Sequence, residues 1–131
     1  MEKHIVSMLG DRHVILMDSI SYVSAEDAGH IIVSGSHGGS SSAAYAVQYA
    51  LFAVFFNDAG IGKEQAGIAA LPVLDQLAVP AGTVSHMSAR IGDAYDTWAH
   101  GALSCLNDTA RQYGLIEGQL LREAVQHLLQ H

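Results

Sequence analysis

Three polar stretches hold the residues whose types and placement best suit chemistry: residues 34–42 read SGSHGGSSS, residues 57–64 read NDAGIGKE, and residues 85–93 read SHMSARIGD. Each follows a short apolar run. In the first, His37 is a candidate general base, oxyanion donor or metal ligand. Ser36, Gly38, Gly39 and Ser40 are candidate substrate contacts, because glycines before a helix let backbone N–H groups converge on an anion. In the second, Asp58 ends an aromatic run, Phe55–Phe56. A carboxylate there has a tuned pKa or a partner, and Lys63 is the candidate partner. Asn57 and Lys63 are further substrate contacts. In the third, Arg90 suits a bidentate grip on a carboxylate or phosphate, with His86, Ser88 and Asp93 beside it.

Each feature has a structural alternative: a glycine turn for the first loop, a loop-capping Asp58 for the second, an Arg90 salt bridge to Asp58 or Asp93 for the third. The first loop is neither a Walker A sequence nor a dinucleotide fingerprint. A nucleophilic Ser36 or Ser88 lacks GxSxG spacing. His37, His86 and Asp58 could form a two-histidine, one-carboxylate set, but nothing resembles HExxH or a Cys/His zinc pattern, so no metal and no cofactor is expected. Cys105, the only cysteine, reads as a small core thiol rather than a nucleophile.

The elements that must position these residues follow from hydrophobic runs. Strands are expected at 14–17, 31–34, 52–56 and 83–86, and helices at 43–50 and 64–77. A long helix is expected from Asp93, on the four-residue spacing of Ala94, Trp98, Ala102, Leu106 and Ala110, capped by Asp93 and stopped near Gly114. A last helix is expected at 118–129. Continuous apolar strands alternating with helices predict one α/β domain, three-layer α/β/α, with a mostly parallel four-strand sheet of Rossmann-like form. Parallel strands would bring all three polar loops to the edge where open α/β sheets bind ligands.

The order of motifs is similar to that of the caspase-like cysteine peptidases and their CHAT relatives. His37-Gly38 at a strand end matches the first part of that pattern, and FFNDAGIG at 55–62 matches the second in placement; the resemblance covers residues 31–90. It implies the strand–helix order and the shared loop edge. Where the family carries its cysteine this chain has Asp58 or Ala59, so peptidase activity is not implied.

Composition narrows the partners. The chain of 131 residues is 50% hydrophobic and carries a formal net charge of −7. That charge disfavours nucleic acid and acidic membrane surfaces. Residues 1–12 lack a signal-peptide pattern and no apolar run is long enough to span a bilayer, which with a single cysteine suggests a cytoplasmic setting. The reading is a small-molecule enzyme of hydrolase or proton-transfer type, acting on a small anionic carboxylate or phosphate metabolite, with His37 and Asp58 as the reaction centre and Gly38 and Gly39 amides as oxyanion donors. The alternative is a non-catalytic binding or regulatory module using the same cleft. The stripe Leu120, Leu121, Ala124, Val125, Leu128 and Leu129 suggests a homo-oligomer paired through the C-terminal helix.

Overall fold

The computed structural model describes residues 3–131; Met1 and Glu2, part of the stretch read for a signal peptide, lie outside the described residues. The chain is a mixed α/β fold on a six-stranded, mostly parallel sheet whose spatial order follows the sequence: β1 (His4–Leu9), β2 (Arg12–Met17), β3 (Ile31–His37), β4 (Ala53–Asn57), β5 (Ala81–Val84) and β6 (Leu103–Leu106). β2 to β5 are parallel, and β1 and β6 are antiparallel edges. The central strands are β-branched or aromatic and buried on both faces. Alternation along each strand sends Val14, Leu16, Ile31, Val33 and Phe55 into one core, and Ile15, Met17, Ile32, Val54 and Phe56 into the other.

The described residues form five α-helices beside the sheet: α1 (Ser40–Ala46), α2 (Ala70–Gln76), α3 (Ala94–His100), α4 (Asp108–Gln112) and α5 (Leu121–Leu129). α1 and α2 supply Ala43, Ala46, Ala70, Leu71 and Leu74 to the core holding Phe56; α3, α4 and α5 supply Ala94, Ala110, Leu121 and Leu128 to the core holding Phe55.

The four expected strands are present, but the sheet has six. β1 is an edge strand whose side chains are mostly exposed, so it leaves no strong apolar run. It joins β2 through the two-residue connection Gly10-Asp11, where Gly10 takes φ +60°, as a glycine-first hairpin turn requires. β6 lies inside the stretch expected to be one long helix. Asp93 does cap α3, accepting from Asp96 N–H at 2.9 Å, but α3 stops at Gly101. There the N–H closes the last turn on Thr97 O and the backbone becomes extended, with φ −60° and ψ 135°. A methyl on Gly101 would lie 2.5 Å from Thr97 O and 2.8 Å from Val84 Cγ1. The chain can cross beside β5 only because residue 101 has no side chain. Gly114, at φ +97°, then ends α4 rather than a longer helix.

The stripe on α5 packs on the chain's own sheet. Leu121, Ala124, Val125, Leu128 and Leu129 are all buried there, and only Leu120 is exposed, at 41%. Leu121, Leu128 and Leu129 are thus covered by the chain itself, the alternative to pairing with a second copy through this helix.

Two outcomes follow. Gly101→Ala should destabilise the fold by about 1–3 kcal/mol through overpacking, read as a lower urea midpoint. Leu121→Glu with Leu128→Glu should unfold the chain, with loss of its far-UV circular dichroism signal. A folded double variant would show that α5 is not part of the core.

Candidate functional site

Because β2 to β5 are parallel, the loops after them emerge on one edge. His37 stands in register with Asn57, and Asn57 with Val84. The three polar loops are therefore neighbours, as the apolar runs predicted.

Asn57 and Asp58 hold this edge together. Asn57 is fully buried; its Nδ2 donates to Ala89 O at 3.0 Å and its Oδ1 accepts from Ala59 N–H at 2.8 Å. Asp58 Oδ1 accepts from Gly60 N–H at 2.8 Å and from His86 N–H at 3.0 Å. The same oxygen lies 3.3 Å from His86 Nδ1, with the Asp58 side chain 6% exposed and the His86 side chain 49% exposed. Burial pushes the Asp58 carboxyl up, but the Gly60 N–H, the Ser104 hydroxyl, the His86 N–H and the His86 ring together hold it below its ordinary value. The carboxylate therefore stands within ion-pair distance of Nδ1, and the His86 ring is half exposed. Asp58's ion-pair partner is thus His86, and not the expected Lys63, which is exposed.

The loop after Asp58 is strained. Ala59, Ile61, Glu64 and Gln65 take φ of 51°, 66°, 56° and 58°, in the left-handed region, and Gly60 and Gly62 join them. A β-branched residue such as Ile61 is rare there, and such backbone persists only where its surroundings hold it. Here Ile61 N–H donates to Asp58 O at 2.6 Å and Gly67 N–H to Ile61 O at 2.7 Å. A methyl on Gly67 would fall 1.8 Å from Asp58 O.

The first loop is bound into the same network. Gly38 N–H donates to Asn57 O at 2.9 Å, and Gly38 O accepts from Ala70 N–H at 2.8 Å. That amide is committed to the sheet, so the expected oxyanion role of Gly38 fails. Gly39 precedes α1, and Ser40, which opens it, is exposed. His37 is exposed, with Nδ1 3.3 Å from Ser42 Oγ. It borders a cavity of about 400 Å³ that Asp18, Ser36, Ser42, Tyr45 and Ile91 also line, whereas Asp58 does not. His37 and Asp58 follow adjacent strands but have different partners.

The remaining candidates serve local structure. Ser36 Oγ accepts from Ile20 N–H at 3.0 Å. Ser88 Oγ donates to Ser85 O at 2.7 Å and accepts from Ala102 N–H at 3.0 Å. Arg90, 80% exposed, stands 3.9 Å from Asp93, the cap of α3. Sequence reasoning missed Asp18, which ends the β2 run and accepts from Ala94 N–H at 2.9 Å, seating α3 at the same edge. Gly35 makes room for this: a methyl there would lie 2.7 Å from Asp18 O and from Asp93 N. Among the described residues no three His, Cys, Asp or Glu side chains come together to hold a metal ion, and no helix is long and apolar enough to cross a membrane.

No protein-family model, no curated protein and no solved structure matches this chain.

Asp58 gives a pH-dependent prediction. Its folded-state pKa is depressed, so the stability it contributes is present above the unfolded value of about 4 and is lost as pH falls through the folded value. Asp58→Asn, which keeps an oxygen for the two backbone N–H groups but removes the charge that strengthens both bonds, should cost about 1 kcal/mol at pH 7. The gap from the wild type should narrow below about pH 4. Urea unfolding at both pH values tests this; a constant gap would mean the carboxylate is not held ionised.

Proposed function

We propose that this chain is a small-molecule enzyme of proton-transfer or hydrolytic type, on a three-layer α/β/α frame, working at the edge where β3, β4 and β5 end. The observation that carries the reading is the buried Asp58 carboxylate 3.3 Å from Nδ1 of the half-exposed His86. In this arrangement His86 Nε2 is the general base, and Asp58 is the positioning residue that orients the ring and stabilises the imidazolium formed when it takes a proton. His37, at the neighbouring strand end, is a second imidazole for binding or for returning the proton. The exposed side chains of Lys63 and Arg90 are the cations on the flanking loops, and they suit a small carboxylate or phosphate substrate. Strain in residues 59–65 is consistent with a loop held for function.

A second reading, a ligand-binding module without turnover, draws on the hydroxyls. Ser36 and Ser88 are engaged with backbone groups, so neither is a free nucleophile.

A panel of carboxylate and phosphate metabolites, screened by thermal shift and then by turnover on each hit, separates the two. On a turned-over substrate, His86→Ala should lower kcat by about 10²–10⁴-fold. Asp58→Asn should lower kcat with little change in KM. Binding without turnover favours the second reading, and full activity in His86→Ala ends the first.

A further inference from the structure

The far edge of the sheet carries a second imidazole pair, unconnected with the loops above. His127 lies in the last turn of α5 and His131 one turn beyond it, an i,i+4 spacing that places both on one face. Their Nε2 atoms are 3.4 Å apart. His127 Nε2 is also 2.7 Å from Tyr113 O, the carbonyl that closes α4. His127 Nε2 thus stands beside one potential ligand atom from its own segment and one from the end of α4. The carbonyl can only accept, so His127 Nε2 must bring the proton between them.

Both rings are held by groups beyond α5. Arg12, at the start of β2, donates from Nη1 to His131 O at 3.1 Å and from Nε to Gly29 O at 3.1 Å. Its guanidinium lies 3.5 Å from the centre of the Phe52 ring. Phe52 packs edge-on to Tyr113 at 5.8 Å, and Tyr113 edge-on to His131 at 5.0 Å. Gly114 keeps the space beside His127 open, since a methyl there would lie 3.0 Å from its Nε2.

We infer that His127 Nε2, His131 Nε2 and the Tyr113 carbonyl form a surface site for a divalent late first-row transition ion of the zinc type. Imidazole nitrogens bind such an ion at about 2.0–2.1 Å, and two of them at a tetrahedral angle lie about 3.4 Å apart. The two rings already stand at that separation, whereas the Tyr113 carbonyl, 2.7 Å from His127 Nε2, must draw back by about 0.7 Å to serve as a third ligand. On binding, the His127 proton moves to Nδ1 and the Nε2 lone pair turns to the ion; water fills the open positions. Imidazole suits zinc, nickel and copper, whereas magnesium prefers oxygen ligands. The ion would tie α5 to the end of α4 and add stability by mass action.

Tag-free full-length protein, titrated with Zn²⁺ at pH 7.5 by calorimetry and thermal shift, tests the site. One Zn²⁺ per chain should bind and raise Tm, with no response to Mg²⁺. His127→Ala and His131→Ala, both exposed positions, should each weaken binding about tenfold or more. His100→Ala, at an exposed histidine on α3 beside Asp96, should leave it unchanged. Absence of Zn²⁺ binding, or equal binding by the His127→Ala, His131→Ala double variant, overturns the inference.

Discussion

The edge carrying the candidate site depends on two adjacent side chains buried at the end of one central strand. Asn57 and Asp58 between them accept or donate hydrogen bonds to the backbone of Ala59, Gly60, His86 and Ala89. Their own loop and the loop after β5 are both fastened to β4 through these contacts. Two polar groups buried there are tolerable because each is satisfied. The same satisfaction holds the Asp58 carboxyl below its ordinary pKa, so one carboxylate fixes the loops and stands 3.3 Å from the imidazole beside it.

Glycines around this pair act mainly by absence of volume. Gly35 admits the backbone of α3's entry against β3, Gly38 fits against Gly67 O, and Gly67 fits against Asp58 O. A glycine-rich loop at a strand end invites an anion-cradle interpretation. Here the glycines bring main chains together, and the Gly38 amide is spent on Asn57 O.

Much of the frame was legible because parallel strands buried on both faces give continuous apolar runs, and four such runs lie where β2 to β5 form. Asp58 and His86 were both legible as site residues, but not as partners. Their contact depends on which strands are adjacent and in what register, information that a single chain's periodicity does not carry. β6 was hidden because Ala94, Trp98, Ala102, Leu106 and Ala110 keep helical spacing across a break made by Gly101. β1 was hidden because exposed edge strands have no buried face to pattern. The stripe on α5 was correctly read as needing cover, and the sheet supplied it. That choice depends on how much sheet face remains open after α3 and α4 are placed.

Every strand hydrogen-bonds to its neighbours in sequence. Such an order keeps strand-pairing separations short, so the sheet can grow by adding the next strand to a formed edge, with no strand inserted between two already paired. The helices escape this progression, α3 against β2 and β3 among them. α5, which follows every strand in the sequence, shares one core with Val14, Leu16, Ile31 and Val33, among the earliest core residues. Until it docks, that face is covered only in part, by α3 and α4, and completing it is a long-range step. The sheet's assembly is therefore local, while full protection of one face waits for the final helix. The interval between the two is when this protein is most exposed to aggregation.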